Sequence, residues 1–111
     1  MELKVVKEDS QLTYVALAGK LDVQGEEAIG DRFRELIETR QNSLIVDMSA
    51  VTYLASLGIR LLFAGAKSLA ASGHKLVVLK PQPMVEETLL NSGTAKLMPI
   101  AADEEAARSL L

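Results

Sequence analysis

From residue 23 onward the sequence alternates helix-like and strand-like segments, and this order constrains the fold more than any other feature. Apolar residues have helical spacing in four segments: VQGEEAIGDRFRELIETR, residues 57–71, PMVEETLLNSG and ADEEAARSLL. In the first of these, Ile29, Phe33, Leu36 and Ile37 share one face. Short apolar runs typical of strands lie between them: SLIVDMS, KLVVLK and KLMPI. A helix that connects two strands returns the chain to the same end of a sheet, so these strands are predicted to be parallel.

The beginning of the chain breaks this alternation. The strand-like runs LKVVKE and LTYVALAG are separated only by the polar turn DSQ, which is too short for a crossover and predicts an antiparallel hairpin. GKLD is expected to end the second strand, and VTYLA to connect the third strand to the next helix. We therefore expect residues 1–111 to form a single α/β domain. Its sheet should be mixed and mostly parallel, with an N-terminal antiparallel hairpin and about four helices.

Composition excludes several classes of function. Twelve basic residues against fifteen acidic ones give a net charge of −3 without any basic run, so no nucleic acid is expected as a partner. The first residues, MELKVVKEDS, are too charged for a signal peptide, and Arg60 and Lys67 interrupt the most apolar helix. We therefore expect a cytoplasmic protein without direct membrane insertion.

Most of the residues that enzymes and metal sites require are missing. Cysteine is absent, and the only histidine, His74, lies in the polar turn SGHKL. GTAK and GAKS lack the spacing of a phosphate-binding loop. We therefore predict no enzymatic activity, no catalytic residue, no cofactor and no metal site.

The helix over residues 57–71 is preceded by a serine, Ser56, that can be interpreted in two ways. Ser56 stands where an N-cap belongs, and its hydroxyl can accept a hydrogen bond from a backbone N–H group. A phosphate on the same hydroxyl would be favoured by the positive end of the helix dipole. A helical wheel predicts the core face of this helix to consist of Ile59, Leu62, Phe63, Ala66, Leu69 and Ala70.

Two leucines of this helix fall outside the core face. Leu57 and Leu61 lie on the far side, flanked by Arg60 and Lys67, so either the chain itself or a partner must cover them. A dianion on Ser56 would obstruct apolar docking there, because its charge is costly to desolvate. This arrangement suits a phosphorylation switch, but the residues alone favour simple capping by Ser56, because serine is a preferred N-cap; both roles can hold at once.

The segment DMSAVTYLASLGIRLL resembles the signature of STAS domains, which occur in bacterial anti-sigma factor antagonists. That signature usually reads Asp-Leu-Ser-x-Val, followed several residues later by Asp-Ser-x-Gly-Leu at the start of a helix. The matching residues of this chain are Asp47, Ser49, Val51, Ser56 and Gly58. GKLD also resembles the family's Gly-x-Leu-Asp after the hairpin, and PMVEETLLNSG resembles its later helix. The resemblance therefore covers nearly the whole chain.

The resemblance implies a function for Ser56. In the family, the serine before x-Gly is phosphorylated by an anti-sigma factor that is also an ATP-dependent serine kinase. The unphosphorylated antagonist binds that kinase and frees the sigma factor, phosphorylation breaks the complex, and a metal-dependent serine phosphatase reverses the modification. By position, Ser56 would be the phosphorylated residue. The partner-binding residues would be Asp22, Ala55, Ser56, Leu57, Gly58, Arg60 and Leu61.

One departure from the family pattern keeps other functions open. The family's aspartate before the serine is Ala55 here, which removes a charge next to the expected phosphoacceptor. Other STAS proteins are unphosphorylated scaffolds or small partners of membrane transporters, including lipid transporters. The alternative prediction is an accessory subunit or scaffold of such a transporter, for example of the ABC class, or of a signalling complex, without regulation by phosphorylation. The Leu57–Leu61 surface could also form a homodimer.

Overall fold

The chain folds around one five-stranded sheet, and the computed structural model describes all 111 residues. In chain order the elements are β1 (Glu2–Glu8), β2 (Leu12–Leu21), α1 (Val23–Arg40), β3 (Ser43–Leu54), α2 (Ser56–Ala71), β4 (Leu76–Leu79), α3 (Pro83–Asn91), β5 (Ile100–Ala101) and α4 (Glu104–Ser109). The strands follow one another in the sheet in this same order. β1 is antiparallel to β2, and all other neighbours are parallel. The predicted α/β fold with an N-terminal hairpin and four helices is confirmed.

β2 and β3 are longer than the sequence predicted. GKLD does not end β2, which continues to Leu21 through a bulge next to Gly19 (φ 107°), and VTYLA forms the end of β3 instead of a connection. β4 pairs with β3 only at Leu44–Asp47, and β1 pairs with β2 only as far as Ala18, so beyond these residues β2 and β3 continue as a two-stranded ribbon. Leu21 and Leu54 pair at the end of the ribbon, and both are buried. The burial of these two leucines explains why β2 and β3 remain paired up to this point.

β5 is shorter than the predicted strand KLMPI. Leu97 and Met98 belong to a turn, in which both backbone N–H groups donate to the carbonyl of Thr94. Pro99 has no N–H group, but its carbonyl accepts a hydrogen bond from the N–H of Val78 at 2.9 Å. The strand itself consists of Ile100–Ala101 and, as predicted, lies at the edge of the sheet.

Three helices cover one face of the sheet, and one helix covers part of the other. The main cluster of buried side chains contains Phe33 of α1, Leu62 of α2 and Leu89 of α3. A smaller cluster on the opposite face contains Tyr14 of β2 and Ala107 of α4. None of the helices combines the length and the apolar composition that crossing a bilayer requires.

Polar contacts lie around α4 and Tyr14 of the smaller cluster, and Nζ of Lys7 lies 5.4 Å from the centroid of the Tyr14 ring. Glu104 accepts hydrogen bonds from Lys7 and Arg108, each at 2.9 Å, and these bonds lower the pKa of Glu104. The Tyr14 hydroxyl donates to Asp47 at 3.3 Å, and burial together with this carboxylate raises the pKa of Tyr14 from 10.0 to about 12. The folded state holds the Tyr14 proton more tightly than the unfolded state does. This proton therefore adds to the free energy of unfolding below pH 10, and its contribution is lost as the pH rises towards 12.

The buried side of α2 is rotated by about one residue from the predicted one. Ile59 and Phe63, expected in the core, are half-buried, and Ala70 is exposed. The buried residues are Gly58, Leu61, Leu62, Gly65, Ala66 and Leu69. A Cβ atom on Gly65 would lie only 2.5 Å from Cδ1 of Ile37, so the absence of a side chain lets α2 approach α1 closely. Because glycine has no side chain to mark a buried position in the sequence, the helical wheel predicted the neighbouring face of α2 as the core face.

Candidate functional site

Three helices begin at the carboxyl ends of the parallel strands, and we call this end of the sheet the Ser56 edge. The parallel strands β2, β3 and β4 end there, and α1, α2 and α3 begin shortly after them. The N–H group of Ala55 donates to the carbonyl of Leu21 at 3.0 Å, which fixes the start of α2 against the end of β2. Asp22, which precedes α1, is thereby brought close to Ala55 and Ser56. No group of three or more histidine, aspartate or glutamate side chains in the chain is placed to hold a metal ion.

Ser56 is the first residue of α2 and is not its N-cap. The N-cap is Ala55, whose backbone is extended (φ −95°, ψ 168°) and whose methyl group cannot accept a hydrogen bond. The predicted capping role of Ser56 is therefore wrong, because the helix begins one residue earlier than the sequence indicated. The side chain of Ser56 is exposed, which leaves its hydroxyl accessible.

The first N–H groups of α2 have no side-chain acceptor. At the start of α1, by contrast, the Oδ1 atom of Asp22 accepts from the N–H of Gly25 at 2.9 Å. Unpaired N–H groups at a helix start carry a partial positive charge, which the helix dipole reinforces. The hydroxyl of Ser56 therefore lies next to a positive potential.

Replacing Ala55 by aspartate is expected to supply the missing cap of α2. Asp22 and Asp103 already cap α1 and α4 in this way. The expected gain in the free energy of unfolding is about 1 kcal/mol, which corresponds to about 4 °C in melting temperature for a chain of this size. Thermal unfolding followed by circular dichroism measures the gain. Ala71→Asp, at the other end of the same helix, is the control and should give none; an equal gain there would contradict the capping argument.

Two of the residues predicted to bind a partner have structural roles at the Ser56 edge. Asp22 caps α1, and Gly58 lies directly against β2. A Cβ atom on Gly58 would come within 2.6 Å of Cγ and 2.7 Å of the carbonyl oxygen of Leu21, so only glycine fits there without a shift of the helix. Contact of Asp22 and Gly58 with a partner stays a prediction.

The apolar surface predicted on α2 is only partly present. Leu61 is 5% exposed and belongs to the main core cluster, so the chain itself covers it and the prediction that Leu61 binds a partner is wrong. The rotation of α2 turns Leu61 inward and makes it unavailable to a partner or to a second copy of the chain. Leu57 is half-buried, and Arg60 is exposed one turn after Ser56.

Three exposed apolar side chains at the Ser56 edge were not predicted from the sequence. Val23 is 58% exposed, Tyr53 is 51% exposed and Met84 is 76% exposed. Val23 and Met84 lie in the first turns of α1 and α3, and Tyr53 lies near the end of β3. All three fall outside the core pattern of their own segments, which is the signal that could have identified them. With Leu57, they leave apolar side chains at the same end of the sheet as the accessible serine.

The sequence profile of the STAS domain matches residues 4–107. The chain is also similar to BtrV of Bordetella bronchiseptica, a protein provisionally named an anti-sigma factor antagonist. The two are 26% identical over 107 residues, which cover 96% of this chain and 91% of BtrV.

Solved structures with the same fold include the anti-sigma factor antagonist SpoIIAA. Its unphosphorylated form has a TM-score of 0.81 and 22% identity, covering 98% of this chain and 96% of SpoIIAA. The phosphorylated Bacillus form has a TM-score of 0.73 and 21% identity, covering 99% and 100% of the two chains. The murine anion transporter Slc26a9 matches with a TM-score of 0.75 and 16% identity, covering 94% of this chain but 18% of the transporter.

Structural likeness at these identities establishes the fold alone. The sequence profile adds the family, because it matches almost the entire chain and agrees with the resemblance predicted from DMSAVTYLASLGIRLL. The chain belongs to the STAS domain family.

Proposed function

We propose that this protein is an anti-sigma factor antagonist that binds an anti-sigma factor serine kinase through the Ser56 edge and is switched off by phosphorylation of Ser56. The observation that carries the proposal is the accessible Ser56 hydroxyl at the uncapped start of α2, beside exposed apolar side chains. The similarity to BtrV and the shared fold with SpoIIAA support this class of function. The protein would act in the cytoplasm, as the sequence predicts.

Phosphorylation would change the charge of this edge while the fold is kept. The kinase transfers the γ-phosphoryl group of ATP to Oγ of Ser56; the new P–O bond forms as the bond to the ADP oxygen breaks, and the hydroxyl proton passes to a base of the kinase. The product carries a charge of about −1.5 to −2. The N–H groups at the start of α2 stabilise this charge in the free protein.

The same charge would weaken the complex. Leu57 and Tyr53 offer apolar surface to the kinase, and burying a phosphate beside them requires the removal of its hydration shell. The phosphorylated protein therefore dissociates. A serine phosphatase that hydrolyses the phosphate ester restores binding.

Incubation of the purified protein with its anti-sigma factor kinase and radiolabelled ATP tests the proposal. One phosphate is expected on Ser56, located by mass spectrometry of the peptides. Ser56→Ala should incorporate none. Ser10→Ala is the matched control, because Ser10 is also exposed but lies in the hairpin turn at the opposite edge, and it should incorporate as much as the wild type. Incorporation into Ser56→Ala would contradict the assignment.

One observation favours a second function. Ala55 replaces the acid that precedes the phosphorylated serine in the family pattern, and nothing caps α2 in its place. The alternative is an accessory subunit or scaffold of a membrane transporter or signalling complex that uses the same edge without phosphorylation. In that case the protein should co-purify with membrane components or other scaffold partners, and substitution of Ser56 should leave this association unchanged.

A further inference from the structure

Beyond Ser56, the outer side of α2 carries a continuous row of exposed and half-buried side chains. They share one side of the helix because positions i, i+4, i+7, i+8 and i+11 are aligned. We call this row the α2 stripe; it consists of Ser56, Arg60, Phe63, Ala64 and Lys67. All of its members except Ser56 line a shallow groove of about 440 Å³.

The α2 stripe is positively charged, although the chain has a net charge of −3. α2 contains Arg60 and Lys67 but no acidic residue, whereas α1 contains five. Neither Arg60 nor Lys67 takes part in an ion pair within the chain. Both charges are therefore available to a partner.

An aromatic ring lies between these two charges. Phe63 is half-buried, and Nζ of Lys67 lies 5.8 Å from the centroid of its ring, a distance at which a cation is attracted to the ring face. Ala64, next to the ring, presents only a methyl group and allows close approach of another element. An aromatic anchor flanked by cations fits a partner that is both apolar and acidic.

We infer that the α2 stripe binds an acidic segment of the partner, with carboxylates opposite Arg60 and Lys67 and an apolar side chain against Phe63. The inference rests on the proposed function and adds the charge of the partner surface to it. Complementary charges mainly accelerate the encounter of two proteins, and salt screens this effect. Association should therefore be faster at low ionic strength than at high ionic strength.

The charge of the stripe gives phosphorylation a second effect. Arg60 stands four residues after Ser56, the spacing at which an acidic group pairs favourably with a following base on a helix. A phosphate of about −2 added to a row with two positive charges cancels the net charge of that row. An acidic partner then meets a surface that no longer attracts it.

Charge reversal tests the inference, with the purified anti-sigma factor kinase as the probe. Arg60→Glu/Lys67→Glu is expected to slow association roughly tenfold or more at about 50 mM NaCl. It should also remove most of the salt dependence that the wild type shows up to about 500 mM NaCl. The control, Lys75→Glu/Lys96→Glu, makes the same change in net charge with two exposed lysines away from the stripe. It should stay within about threefold of the wild type. Surface plasmon resonance measures all rates.

The outcomes separate the inference from the proposed function. Equal association rates for the two double variants, or a wild-type rate that salt does not change, would overturn the inference while phosphorylation of Ser56 could still hold. Failure of the wild type to bind the kinase contradicts both. Circular dichroism checks the fold. Should the glutamate variant not fold, Arg60→Gln/Lys67→Gln replaces it, with an expected loss of roughly threefold or more, and no loss in that variant would overturn the inference.

Discussion

Ser56→Asp is expected to weaken the complex with the anti-sigma factor kinase by at least tenfold, or ~1.4 kcal/mol. The new carboxylate brings a negative charge to the apolar part of the Ser56 edge, and it must be desolvated when the kinase covers Leu57 and Tyr53. Aspartate carries less charge than a phosphate, so the phosphorylated protein should bind more weakly still. Isothermal titration calorimetry measures both dissociation constants.

Ser10→Asp provides the matched control for this effect. It adds the same charge to an exposed serine at the opposite edge, so the dissociation constant should stay within about twofold of the wild type. Ser56→Ala should also bind like the wild type, because it removes the hydroxyl without adding a charge. If Ser56→Asp binds as tightly as these two variants, charge at the start of α2 does not control the complex.

Gly58→Ala is expected to lower the free energy of unfolding by about 2 kcal/mol, the middle of the range for overpacked sites. Alanine normally stabilises a helix by about 1 kcal/mol relative to glycine, so the expected sign is opposite to the intrinsic preference. The reason is the added Cβ atom, which would lie 2.6 Å from Cγ and 2.7 Å from the backbone oxygen of Leu21. The backbone of β2 cannot rotate away, and α2 must therefore shift. Urea unfolding followed by circular dichroism measures the loss.

Gly30→Ala is the control for Gly58→Ala, because it also replaces a buried glycine within a helix. The nearest atoms to its Cβ would be Oε1 of Glu26 at 2.5 Å and Nη2 of Arg34 at 3.0 Å, the ends of two flexible side chains that can move. The free energy of unfolding should therefore not fall; it should rise by up to about 1 kcal/mol, because alanine is favoured over glycine in a helix and only flexible side chains have to move. A comparable loss in both variants would show that neither result reflects the contact with Leu21.

The bounds and the core face of α1 could be predicted from the sequence. The segment VQGEEAIGDRFRELIETR is the observed helix Val23–Arg40, and its large apolar side chains, Ile29, Phe33, Leu36 and Ile37, are buried as expected. These side chains define the helical period clearly because polar residues separate them. Asp22 before the helix and Arg40 at its end agree with the dipole.

The core face of α2 could not be predicted from hydrophobic spacing. This helix packs most closely at Gly58 and Gly65, which contribute no apolar side chain to the pattern. Leucines and alanines occur on several sides of the helix, so the wheel favoured Ile59 and Phe63 for the core and placed Leu61 outside. Which face of α2 is buried depends on where a neighbouring helix or strand comes so close that only glycine fits.

The ends of β2, β3 and α2 depend on tertiary contacts in the same way. GKLD and VTYLA continue their strands because each provides the pairing partner of the other. The hydrogen bond from Ala55 to Leu21 then fixes where α2 begins, one residue before the predicted start. The sequence correctly places Ser56 at the start of this helix. Which residue is the N-cap, however, is decided by the contact of Ala55 with Leu21, a residue far away in the chain.

The common direction of α1, α2 and α3 has an electrical consequence. All three begin at the Ser56 edge and run towards the opposite edge, so their dipoles add instead of cancelling as they would in an antiparallel bundle. At the starts of α1 and α3 the carboxylates of Asp22, Glu26 and Glu86 offset this potential, whereas the start of α2 has no acidic residue and keeps it. The field of an acidic protein exerts a torque on the summed helix dipole before any surfaces touch. Such a torque favours encounters in which Ser56 already faces the incoming molecule.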